Sequence, residues 1–193
     1  MFIIRKILSV FILTLLSVSC ANNDKEVVWD FNFYNLEPFV FKAATVEIID
    51  LYQPPLVEPN IEHTFPISPA TATKAWVKSR IKVDGSNGAI IVRIIDASVV
   101  SSSLPTAGGL MGLLFDQQAV RYQASLEVEI EYQGNLALKS SAQTLVTRSR
   151  TVPESVTLKE LDHVFHNLLE GLMADLDRQL STAINQSLGG LIL

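Results

Sequence analysis

From Val120 to Gln133 the chain alternates without a break. Val120, Tyr122, Ala124, Leu126, Val128, Ile130 and Tyr132 fall on one side, and Arg121, Gln123, Ser125, Glu127, Glu129, Glu131 and Gln133 on the other. A period of two predicts an antiparallel strand with one dry face and one wet face. Gly134-Asn135 turns it into a further strand over 136–150. Upstream, Ala89 to Val100 is apolar and β-branched on both parities, which predicts a central strand covered on much of both faces. Residues 44–52, ATVEIIDLY, predict another strand. Between 27 and 41, Trp29, Phe31 and Phe33 alternate with Asp30 and Asn32, so an N-terminal strand with one aromatic face is expected there.

The period then changes. Ser68-Pro69 supplies an N-cap followed by proline at the first helical position, so a helix is expected over 69–82, burying Ala72, Ala75, Trp76 and Ile81. The stretch before it carries Pro54, Pro55, Pro59 and Pro66, which remove backbone donors and predict extended surface chain. Pro153 ends the sheet, and TLKE at 157–160 is a capping box. The helix it opens carries Leu158, Leu161, Phe165, Leu168, Leu169, Leu172, Leu176, Leu180 and Ile184 at spacings of three and four, and stops at Gly189-Gly190. The fold class predicted is α+β: an antiparallel sheet with two helices packed on one face, preceded by a signal peptide.

That signal peptide occupies residues 1–19. Arg5 and Lys6 form a positive n-region, Ile7 to Val18 an apolar h-region, and Ser17 and Ser19 place small side chains before Cys20. A dozen apolar residues are too few to cross a hydrocarbon core of roughly 30 Å comfortably. Cys20 is the single cysteine, so no disulfide forms within the chain. A lone thiol in an oxidising compartment forms mixed disulfides unless it has a use, and acylation is that use. Two or three palmitate-type chains would anchor it firmly, at roughly 0.8 kcal/mol per buried CH₂. Residues 20–26 are then an acylated tether, and 27–193 a single periplasmic α+β domain.

Charge narrows the partners. Removing the leader takes away Arg5 and Lys6, leaving 13 Lys and Arg against 20 Asp and Glu, a net of −7. Such a chain carries no electrostatic footprint for nucleic acid or for anionic lipid surfaces. The segment SLPTAGGLMGLLFD, 103–116, is more apolar than a turn requires. Its Leu104, Leu110, Met111, Leu113, Leu114 and Phe115 sit among three glycines, and are either folded over the sheet edge or held for lipid or a partner. Trp29, Phe31 and Phe33 form a second such binding surface, or pack as core. No phosphate-loop or dinucleotide fingerprint accompanies the glycines. His163 and His166 lie on the long helix, with Glu160 one turn before, but no cysteine or further cluster completes a metal site, and exposed helical histidines are the simpler account. No Gly-x-Ser-x-Gly elbow or isolated acid pair is present. No metal, no cofactor and no enzymatic activity are expected.

The segments DQQAVRYQASLEVEIE (116–131) and HNLLEGLMADLDRQL (166–180), with the leader ending at Cys20, resemble the auxiliary lipoproteins of ABC-type transport systems that move lipids across the bacterial envelope. More distantly, the chain is similar to the small lipoprotein of the lipopolysaccharide-assembly barrel. The resemblance implies an outer-membrane lipoprotein facing the periplasm, acylated at Cys20 and acting by binding, with Ala21 fitting outer-membrane sorting. It implies a lipid ligand and envelope transport or assembly proteins as partners. The alternative is a structural adaptor or assembly factor that binds protein only.

Overall fold

A computed structural model describes residues 33, 35–105, 118–134, 139–153 and 155–193. The expected leader, tether and Cys20, with Trp29 and Phe31, lie outside the described residues. So do Leu110, Met111, Leu113, Leu114 and Phe115. The elements run β1 (Phe39–Phe41), β2 (Thr45–Asp50), α1 (Pro69–Arg80), β3 (Ile81–Val83), β4 (Ala89–Asp96), β5 (Val99–Ser103), β6 (Gln118–Gln133), β7 (Lys139–Pro153) and α2 (Leu158–Leu188). Short 3-10 turns occupy Glu62–Thr64 and Gly189–Leu191.

The long alternating stretch is the spine of the sheet. β6 pairs with β7 along its whole length on one edge. On the other edge it pairs with β4 over Glu127 to Gln133 and with β5 over Val120 to Ala124. Ala124, Leu126, Val128 and Ile130 are buried, as the period of two requires. The apolar run at 89–100 is thus two strands, not one. Asp96 separates them: its carboxylate accepts the Ser98 amide and hydroxyl, both at 3.1 Å, a local turn that competes with the ladder.

The sheet is mixed, which corrects the purely antiparallel expectation. β2 runs parallel to β4, and β1 parallel to β3 in a separate two-stranded ribbon. The reason is topological: the chain leaves β2, crosses through α1 and re-enters the sheet at β4, a long crossover of the kind a parallel pair requires. α1 ends at Arg80 and passes directly into β3, so Ile81 is buried from a strand and Ala75 is only half-buried. Gly88, at φ 82°, makes the turn into β4, a left-handed conformation that favours glycine.

Both helices lie on one face, as predicted. α2 starts at the capping box, with the Glu160 amide donating to Thr157 Oγ1 at 3.3 Å and the Thr157 amide to Glu160 at 2.9 Å. Its stripe from Phe165 through Leu172 and Leu176 to Leu188 is buried against β6 and β7. α1 locks onto it through a half-buried polar node. Asp177 Oδ1 accepts from both Trp76 Nε1 and Arg80 Nε at 2.8 Å, and Arg80 also donates to Ser181 while lying 4.6 Å from the Phe39 ring centroid.

Candidate apolar cleft at the start of the long helix

The predicted stripe of α2 fails in its first turn. Leu158 is 84% exposed and Leu161 half-buried, so burial begins only at Phe165. Beside the first turns of α2 opens a cleft of about 580 Å³. Tyr122 and Val120 of β6 and Ser101–Ser103 of β5 form its floor, and Leu158, Leu161, Asp162 and Phe165 one wall. The opposite wall is Glu58, Pro59, Ile61 and Thr64. That volume falls within the roughly 300–1,000 Å³ of small-molecule sites.

Aromatic packing sets its inner end. Phe165 stacks on Phe65 at 4.1 Å between centroids and 10° between planes, and meets Tyr122 edge-on at 5.0 Å. Burial pushes the Tyr122 hydroxyl pKa up, so it remains a neutral phenol in the cleft. The hydroxyl of Ser101 donates to the Pro59 carbonyl and that of Ser102 to the Arg121 carbonyl. Apolar exposure continues outside: Leu56 and Val57, just before Glu58 in the chain, are 61% and 63% exposed.

The wall from Glu58 to Thr64 is what the sequence reading missed. Its prolines predict surface chain, yet the segment folds onto β5. The Ile61 amide donates to Val99 O, and the Ser101 amide to Pro59 O. Glu62 is buried and acts as the pin, accepting the Tyr52 hydroxyl at 2.8 Å and the Val99 amide at 3.1 Å. Burial first, and the Glu62 carboxylate second, push the Tyr52 pKa well above the usual phenol range. Nothing in the local pattern marks Glu62, because a buried carboxylate is recognised only by the donors that the fold brings to it.

Of the apolar loop residues, Leu104 is described. It is half-buried, and its amide donates to the Ala119 carbonyl at 2.7 Å, closing the β5–β6 ladder beside Ser103 and Val120. Ser103 and Val120, close to the ends of β5 and β6, both line the cleft. Phe33 packs half-buried against the core and does not line the cleft. The aromatic segment and the loop are not brought together by any described residue. His163 and His166 sit on the same early turns of α2, each with an interaction partner, and neither lines the cleft. Among the described residues, no three His, Cys, Asp or Glu gather as a metal site. No helix among them is long and apolar enough to cross a membrane.

No protein-family model matches the chain, and no curated protein matches it. Several solved structures are similar in part. A minor lipoprotein from Acinetobacter baumannii is 13% identical with a TM-score of 0.40, covering 78% of this chain and 96% of its own. The rare lipoprotein B from Shewanella oneidensis is 13% identical with a TM-score of 0.38, covering 74% and 98%. A Xanthomonas campestris protein of family DUF330 is 13% identical with a TM-score of 0.33, covering 78% and 90%. Likeness at this level defines no family for the chain.

Proposed function

We propose that this protein is an outer-membrane lipoprotein, acylated at Cys20, which works by binding an apolar ligand in the cleft beneath the first turns of α2. The observation that carries the binding part is the capped helix start, which leaves Leu158 uncovered beside a cleft that Leu161, Phe165, Tyr122 and Val120 also line. Leaving a leucine at 84% exposure in the first turn of an otherwise buried stripe forgoes stabilisation of about 1.5–3 kcal/mol, which a ligand's hydrocarbon would recover. The leader and Cys20 support the anchor, and the apolar side chains of Val120, Leu158, Leu161 and Phe165 lining the cleft support a lipid as the ligand. That pairing of anchor and cleft supports a role as an auxiliary component of envelope lipid transport. No catalytic residue is assigned.

Displacement of a fluorescent fatty acid tests the cleft. Wild type binds it saturably, and Leu161→Asp weakens binding roughly tenfold or more, since about 1.4 kcal/mol of lost burial is a factor of ten. If no fatty acid binds, and Leu161→Asp instead abolishes capture of an envelope protein, the protein is an adaptor. Intact mass of protein from membranes tests the anchor. A gain of diacyl or triacyl size, absent in Cys20→Ala, is expected, and an unmodified cysteine refutes it.

A further inference from the structure

A second groove, of about 510 Å³, lies between the distal half of β7 and α2, on the side of the helix away from the polar node that ties it to α1. Arg148 and Arg150 line it. Being two residues apart on one strand they share a face, roughly 6.5–7 Å apart along it. Asn167 and Gly171 face them from α2, with Glu170 and Leu168 alongside.

Two features separate this pair from ordinary surface arginines. The first is Gly171, in the middle of a 31-residue helix, where glycine costs about 1 kcal/mol relative to alanine. A Cβ there would stand 1.9 Å from Arg148 Nη1, so the missing side chain is what seats the guanidinium against the helix. The second is the charge balance. Arg148 reaches Asp175 at only 3.5 Å, and that carboxylate is already held by Arg178. Arg150 has no hydrogen-bond or ion-pair partner for its side chain among the described residues. The groove lining itself holds two arginines and one acid, Glu170, leaving local positive charge on a chain whose net charge is −5.

We propose that this groove binds a phosphate group, either on a lipid headgroup or free in solution, with the Arg148 and Arg150 guanidinia as donors and the Asn167 amide beside them. Planar guanidinia present paired N–H groups matched to phosphate oxygens, a bidentate geometry that lysine ammonium groups lack. Glu170 at the edge disfavours ligands carrying further negative charge nearby, so a phosphodiester or single phosphate fits better than a polyphosphate. The site is independent of the cleft and of Cys20.

The test uses the whole chain in non-ionic detergent micelles. It is titrated calorimetrically with inorganic phosphate, and separately with phosphatidylglycerol or phosphatidylcholine added to the micelles. Wild type is expected to bind saturably. Arg150→Gln should weaken binding at least about tenfold, while Arg121→Gln, on the opposite face of the sheet, should leave it unchanged. Gly171→Ala should raise the thermal midpoint yet weaken binding, an opposition that a purely structural glycine would not produce. Binding of phosphate alone assigns a soluble anion, and binding of phosphatidylglycerol over phosphatidylcholine assigns a headgroup. Either supports the site. No saturable binding of any probe, or equal loss in Arg150→Gln and Arg121→Gln, overturns it.

Discussion

Removing the carboxylate of Asp177 should be the most damaging single polar change in the described fold. Arg80 is 8% exposed in its side chain, and Asp177 is its counter-charge at 2.8 Å. The same oxygen accepts the Trp76 indole N–H, whose ring is fully buried between α1 and the core. In Asp177→Ala the guanidinium keeps only Ser181 and the Phe39 ring, and the indole loses its acceptor. Stranding one member of a buried pair costs about 3–5 kcal/mol, and an unmet buried donor about 1–3 kcal/mol. The two overlap, because one atom serves both donors, so the loss expected is about 3–5 kcal/mol in all. Against a total of about 5–15 kcal/mol, that leaves a marginal domain. Urea denaturation followed by tryptophan fluorescence reads it directly. Removing both charges, as Arg80→Leu with Asp177→Leu, should recover most of the loss, since the desolvation of two ions disappears together. A loss below about 1 kcal/mol in Asp177→Ala, at unchanged denaturant slope, would show that water screens the node and would refute the reasoning.

Four further outcomes follow from the structure. Glu131 lies on the open face of the sheet, where Arg93 at 2.6 Å, with Lys139 and Gln133, lowers its pKa from an ordinary 4.5 to about 2. A depressed carboxylate pKa contributes stability above the unfolded value that is lost as pH falls from 4.5 towards 2. The stability gap between wild type and Glu131→Gln should therefore be on the order of 1–2 kcal/mol at pH 6 and vanish near pH 2 in pH-dependent urea melts. Gly88→Ala forces φ 82° on a side chain and brings Cβ to 2.9 Å from the Tyr132 ring, so a loss of about 1–3 kcal/mol is expected in the same assay. Phe165→Ala removes the ring stacked between Phe65 and Tyr122, and should cost about 3–5 kcal/mol. Leu158→Ala, eight tenths exposed, should change stability by less than about 0.5 kcal/mol while weakening the fatty acid, which separates the cleft from the core.

Much of the architecture is written in short-range pattern. The alternation of Val120 to Gln133, the capping box at Thr157 and the three-four spacing of α2 each reflect a local geometric period, and each appears in the fold where the sequence predicts it. The proline after Ser68 likewise marks the start of α1, because Ser68 Oγ accepts the Thr71 amide whatever the rest of the chain does. Strand direction is different. Whether β2 meets β4 parallel or antiparallel depends on how α1 crosses the sheet, which no period records. Ala89 to Val100 reads as one strand because apolar content is all its periodicity shows, whereas the break is set by Asp96 turning back on Ser98 where the partner strand permits it.

The candidate sites divide in the same way. The apolar loop and Cys20 stand out by composition. The cleft does not, because Leu158 continues the stripe in sequence, and only the packed structure leaves it uncovered. Glu62, Asp177 and the Arg148–Gly171 contact are long-range pairings between residues ordinary in isolation. Side-chain identity and local spacing determine where helices and strands form. Which polar groups end up buried together, and which apolar ones are left uncovered, is decided only when the layers pack.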